Sequence, residues 1–362
     1  MKTRTKWLAG LVAFFLLTAF GIRMFQPQLG EKAYRSAVDK RAGLDRTEGL
    51  QDGLYIALCG TGSPLPNPNR AGPCSIVVAG KHMFLVDAGE GSARNIALMG
   101  LPLGRLEAAF ITHFHSDHID GLGPIMLMRW TGAAATSPLP VYGPTGIERV
   151  IAGFDEAYAT DNGYRTAHHG PTIAPPSGAG ATAMPFALPE SGKGDSVIVY
   201  EGDGLRVTAI RVDHGPVKPA VGYRFDYRGR SVVFSGDTSK SAALIEGAKG
   251  ADLLVHEALQ PKLVGLLTAA LDAKGIKNTA QITRDIINYH TTPEQAADVA
   301  REAGVKELVL NHIVPVIPSP FFYPVFLGDA PKHFRGPLSV GEDGMLFVLP
   351  VGSHKIEKKK LL

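Results

Sequence analysis

Cysteine is nearly absent from this chain of 362 residues. Its two residues, Cys59 and Cys74, exclude a disulfide-knit scaffold and a zinc site built from cysteine. A dominant charge is lacking too: 37 Lys and Arg stand against 34 Asp and Glu, a formal net charge of +3. Lys2, Arg4 and Lys6 supply three of those charges and residues 355–362 a net three more, so residues 7–354 carry −3. The folded body therefore offers no general attraction for a polyanion. With 20% charged residues against 45% hydrophobic ones, the composition excludes a disordered chain. The 42 Gly and 26 Pro argue for many turns rather than a helical bundle.

One long uncharged run is present, Trp7–Ile22, sixteen residues directly after the basic start. A spanning helix needs about 20 apolar residues, with about 17 as a lower limit, and continuing past Arg23 to Phe25 reaches that length. The segment reads as a membrane anchor or as a cleaved secretory signal, with Ala19-Phe20-Gly21 as a weak cleavage site. Positive charge before the run keeps the N-terminus in the cytoplasm, so both readings export the body. The expected organisation is an anchor or signal over 1–25, a polar linker over 26–52, one domain over 53–352 and a basic tail over 353–362.

Within the body, apolar runs such as Leu54–Leu58, Ser75–Ala79, Met83–Val86 and Ala108–Thr112 read as strands. Later runs follow at Leu205–Val212, Gly222–Tyr227, Ser231–Ser235, Leu253–His256 and Glu307–Asn311. Helical patterns alternate with them, which predicts a layered α/β domain. Residues 168–195, rich in Gly, Pro and Ala, read as a loop.

The strongest signal is Thr112-His113-Phe114-His115-Ser116-Asp117-His118, placed after the apolar strand Ala109-Phe110-Ile111. On a strand end His113 and His115 point to one side, because side chains repeat every two residues. Four nitrogen and oxygen donors within six residues exceed what one tetrahedral ion takes from one loop. Two adjacent metals would use them all. His214, Asp237 and His312 each follow an apolar strand and are candidates to complete the set.

With those residues in view, the chain resembles the metallo-β-lactamase fold, and within it the ribonuclease Z (tRNA 3′-processing) branch. The likeness runs through Leu58-Cys59-Gly60-Thr61-Gly62-Ser63-Pro64, Leu85-Val86-Asp87-Ala88-Gly89, the histidine motif and Phe234-Ser235-Gly236-Asp237-Thr238. Val255-His256-Glu257-Ala258 and His290-Thr291-Thr292-Pro293-Glu294 resemble two loops special to the branch. The resemblance implies a four-layer αββα sandwich, with one metal held by His113, His115 and His214. It implies a second metal held by Asp117, His118 and His312, with Asp237 bridging both. Zinc suits such donors, and manganese or iron are compatible with them. Asp87 reads as an orienter of a ligand histidine or as a turn residue.

The resemblance further implies Asp117 as a base toward the nucleophilic water and His290 as proton donor to the leaving group, oriented by His256 and Glu257. Leu259 departs from the family, where a threonine usually stands. Export, the acidic body and the nearly uncharged character of 168–195 favour a small phosphodiester or sulfate ester over tRNA. An RNA endonuclease and a lactonase or carboxylic-ester hydrolase are the alternatives. Phe321, Phe322, Tyr323 and Phe326 suit an apolar substrate entrance or a C-terminal cover, and a homodimer would fit the family. Export would also permit a bond between Cys59 and Cys74.

Overall fold

The computed structural model describes residues 2–190 and 193–362, and Ser191 and Gly192 of the expected loop fall outside them. The chain divides after Asp45 into two compact units. In the first, helix α1 (Lys2–Arg41) runs unbroken past the expected boundary at residue 25. Beyond the apolar run it continues past Pro27 and Gly30 into a charged stretch with an Arg35–Glu31 ion pair of 2.9 Å one turn apart. Its apolar window is long enough to cross a membrane and is not buried within the protein, features that signal sequences share.

The second unit holds two sheets. The first joins β1 (Gly53–Gly60), β2 (Cys74–Ala79), β3 (His82–Ala88), β4 (Leu106–Phe110), β5 (Leu139–Pro144) and β6 (Ala181–Phe186). The second runs from β7 (Ser196–Gly202) through β8 (Leu205–Arg211), β9 (Val221–Tyr227), β10 (Arg230–Phe234) and β11 (Leu253–Leu259) to β12 (Glu307–Val314) and β13 (Leu338–Val340). Strands β14 (Met345–Pro350) and β15 (Glu357–Lys360) return to the first sheet beside β1. The expected basic tail therefore forms an edge strand; lysines on an edge discourage further strand pairing. The expected loop likewise contains β6, paired in parallel with β5.

Strand β1 is buried along its whole length because both its faces are covered. Leu54, Ile56 and Leu58 enter the core between the sheets, while Tyr55, Ala57 and Cys59 enter a core on the opposite face. That outer core contains residues of α2 (Ser92–Leu98), α4 (Leu122–Ala133) and α5 (Ile147–His169), the short α3 (Ser116–Ile119) lying between the first two. A third core packs α6 (Ala242–Gly247) and α9 (Pro293–Ala303) on the second sheet. Helix–sheet–sheet–helix is the expected four-layer order. Cys59 and Cys74, on neighbouring strands, form a disulfide.

Between β11 and α9 the chain inserts a hairpin of two helices, α7 (Pro261–Ala273) and α8 (Lys277–Asp285). Two short helices, α10 (Tyr323–Leu327) and α11 (Ala330–His333), follow β12.

Candidate metal centre

The candidate donors gather where strands end, the usual place for sites in α/β sheets. His113 and His115 follow β4, and Asp117 and His118 sit on α3 just beyond. His214 follows β8, Asp237 follows β10 and His312 lies within β12. The fully buried Tyr223 donates its hydroxyl to the Ile111 carbonyl at 2.8 Å, tying the second sheet to the start of the histidine loop. The Val221 N–H donates to the Thr112 carbonyl at 3.0 Å and fixes the same loop.

Two groups result. Donor atoms of His113, His115, His214 and Asp237 lie within 4.8 Å of one another, as do those of Asp117, His118 and His312. Asp237 Oδ2 stands between them, 3.9 Å from His113 Nε2 and 3.8 Å from His214 Nε2 on one side. On the other it is 3.4 Å from His118 Nε2 and 3.3 Å from His312 Nε2. One carboxylate oxygen thus faces four imidazoles. Asp117 Oδ2 lies 3.2 Å from His312 Nε2.

Charge follows from burial and neighbours. Burial drives His113 well below its usual pKa, with help from His118, and burial lowers His115 and His214. Those three rings are neutral donors. Burial opposes ionisation of Asp237, yet His312 and His118 outweigh it and hold the carboxyl well below the usual range. For His118 burial is again the largest influence, overcome by Asp237, Asp87 and Asp117, which raise it.

The donor set fits a pair of divalent ions. Neutral imidazoles and ionised carboxylates are the ligands such ions take, and His118 Nε2 and Asp237 Oδ1 are buried without a hydrogen-bond partner among the described residues. The far sides of the rings are held as metal ligands require. His118 Nδ1 meets Asp87 Oδ2 at 2.9 Å, His113 Nδ1 meets Thr112 Oγ1 at 3.1 Å, and His214 Nδ1 meets the Tyr289 carbonyl at 3.1 Å. Asp87 is therefore a positioning residue. It and His312 hold φ of 56° and 44°, a left-handed backbone that costs a non-glycine residue about 1–3 kcal/mol.

Beside the second group stands His290, its donor atom within 4.8 Å of those of Asp237 and His312. Its Nδ1 lies 3.1 Å from Glu257 Oε1. Burial would lower this histidine, but Glu257 overrides it and raises the pKa to about 9. Glu257 Oε1 also accepts from the Thr238 N–H at 3.2 Å and the Thr291 N–H at 2.9 Å, so it joins the Asp237 and His290 loops.

His256 does not share the orienting role expected of it. Its Nδ1 turns to the Glu257 carbonyl at 2.8 Å, and its Nε2 has no hydrogen-bond partner among the described residues. Neighbouring residues on a strand face opposite ways, so Glu257 and His256 cannot both reach His290. Leu259 supports the His290 loop through its backbone instead, its N–H donating to the Thr291 carbonyl at 2.8 Å.

Sequence reasoning missed the α7–α8 hairpin, which overhangs the site through Thr279, Ile282 and Thr283. Its signals are present: Gln260 caps α7 before Pro261, and Leu263, Val264, Leu267 and Leu271 recur at helical spacing.

Known proteins place this geometry. The beta-lactamase superfamily domain matches residues 82–313. The ribonuclease Z of Mycobacterium avium (strain 104) is 37% identical over 292 residues, 80% of this chain and 96% of that protein. That of Mycolicibacterium gilvum (strain PYR-GCK) is 38% identical over 266 residues, 73% of this chain and 85% of its own. Among solved structures, the metallo-β-lactamase fold protein YhfI of Bacillus subtilis has a TM-score of 0.58 at 20% identity, covering 82% of this chain and 100% of its own. The short form of human tRNase Z has a TM-score of 0.57 at 22% identity, covering 82% and 99%. Those two likenesses support the fold, and the mycobacterial relatives support the branch. The chain is a metal-dependent hydrolase that belongs to the metallo-β-lactamase superfamily and, within it, to the ribonuclease Z family.

Proposed function

We infer that the protein cleaves a phosphodiester in the manner of a ribonuclease Z, with the 3′-extended tRNA as the first substrate to test. The observation that carries this reading is the identity of 37% along 96% of a protein named ribonuclease Z. Two divalent ions, when bound by the seven donors, supply a hydroxide nucleophile at neutral pH and neutralise charge developing on phosphorus. Asp117, ionised and partly open to the cavity, takes the proton of the attacking water. His290 is protonated at neutral pH and donates to the leaving oxygen, while Glu257 accepts from its far nitrogen and stabilises the charged ring, which solvent reprotonates after turnover.

A second reading, a small phosphodiester or sulfate ester, rests on the cavity over the site. It holds about 250 Å³ and is lined by Leu65, Ile282, Ile286, Tyr289 and Val314, with no Lys or Arg among its described lining residues. Gripping a polynucleotide depends on such cations. The Cys59–Cys74 disulfide and the apolar α1 support placing the body outside the cytoplasm, as an anchored or secreted enzyme.

Assays of pre-tRNA, bis(p-nitrophenyl) phosphate, p-nitrophenyl sulfate and an acyl-lactone in parallel decide between the readings. Efficient pre-tRNA cleavage supports the first. Turnover of the small esters with none of pre-tRNA replaces it with the second.

A further inference from the structure

Beside the metal cavity lies a second groove of about 430 Å³ that adjoins it, with Leu65 lining both and Val314 of the cavity followed by Pro315 of the groove. Every described residue lining that groove is apolar, Leu263, Leu266 and Leu267 of α7 forming one wall and Ile317 and Phe322 contributing to the other. Helix α7 divides its residues between two tasks. Val264 and Thr268 are buried, and the Thr268 hydroxyl meets that of Thr283 on α8 at 2.8 Å. Leu263 packs partly against the third core, while Leu266 and Leu267 face the groove, with Leu266 63% and Phe322 39% exposed. Exposed apolar surface joined to a catalytic cavity marks a ligand subsite.

We propose that this groove binds the alkyl chain of an amphipathic ester whose scissile phosphodiester lies over the metal centre. A nucleic acid strand is the poorer occupant, because no described residue lining the groove carries a cationic side chain for phosphates or a polar side chain for a base edge. The choice of bond rests on the phosphodiesterase reading above; the choice of chain rests on the groove alone. Within that division, α8 covers the reacting group and α7 grades the tail by length.

The test uses the full-length, metal-loaded protein and p-nitrophenyl alkyl phosphodiesters from methyl to octyl. Water oxygen bonds to phosphorus as p-nitrophenolate leaves with its electron pair. kcat/KM is expected to rise about fourfold for each added methylene before levelling off. Leu266→Asp flattens the rise, whereas Leu98→Asp, on α2 outside the groove, keeps it. The slope is compared within each variant, so a general loss of activity does not imitate the effect.

A flat series in the wild type overturns the proposal. A flat series with a dimer that Leu266→Asp dissociates assigns the face to a second copy and also overturns it. If no diester is cleaved, the phosphodiesterase reading fails and calorimetry tests the groove by itself. Tighter binding of octyl than methyl phosphate, lost in Leu266→Asp, then supports the subsite, and equal binding overturns it.

Discussion

The two halves of the metal centre are built from similar donors in different ways. His113, His115 and His214 are neutral chiefly because burial makes a charged ring costly. Asp117, His118 and His312 instead belong to a web of carboxylates, with Asp87 behind His118 and Glu257 behind the adjoining His290. Burial decides the charge of the first half, whereas in the second the neighbouring carboxylates override burial. Asp237 touches both and so makes them one centre.

Removing the shared carboxylate is the most severe way to break that comparison. Asp237→Ala is expected to lose both metals and all measurable turnover, and two metal equivalents retained by mass spectrometry would refute the shared role. Next in size is His290→Ala, which should keep both metals yet lose about 10²–10⁴-fold in rate with poor leaving groups. With its pKa near 9, His290 carries its proton at neutral pH and releases it as pH rises through that value. The wild-type rate on poor leaving groups should therefore fall above about pH 9, and the variant's profile should lose that limb. An equal loss for activated and unactivated esters would remove His290 as the acid.

Asp87→Ala sharpens the contrast further. It should weaken the metal of the second half about 10–100-fold and the first half much less, because Asp87 reaches His113 only through the Thr112 hydroxyl. Metal titration in which both affinities fall together would show that the halves are not separately supported.

Away from the centre, Arg230 and Asp252 form a buried ion pair of 2.9 Å, and Lys306 lies 2.6 Å from the same carboxylate. Arg230→Ala should destabilise folding by about 3–5 kcal/mol by denaturant titration while metal content stays at wild type. Burial opposes ionisation of Asp252, but Lys306 and Arg230 outweigh it and lower its pKa. Its stabilisation is therefore present above the ordinary carboxyl range and is lost as pH falls through the lowered value. A destabilisation confined to alkaline pH would contradict that sign.

How much was legible follows the range of each interaction. His113, His115, Asp117 and His118 announce themselves because six residues at one strand end suffice to place them. Strand alternation also decides between Glu257 and His256, but only once the strand β11 is known to run through both. Strand β6 was hidden in a Gly- and Pro-rich stretch because it gains its structure by pairing with β5, not from local preference. The lysine-rich end became β15 for the same reason, its partner being β14.

The sequence by itself determined the chemistry of this protein: seven imidazole and carboxylate donors, each at or shortly after an apolar strand, and a long apolar run before them. Tertiary structure decided what those donors share. Strand pairing and the core between the sheets set Asp237 against histidines from three separate parts of the chain, and the inserted hairpin placed an apolar groove beside the site. Periodicity is a local property that a chain displays residue by residue. The meeting of His113 with His312 depends on burying two sheets against each other, which no short stretch encodes.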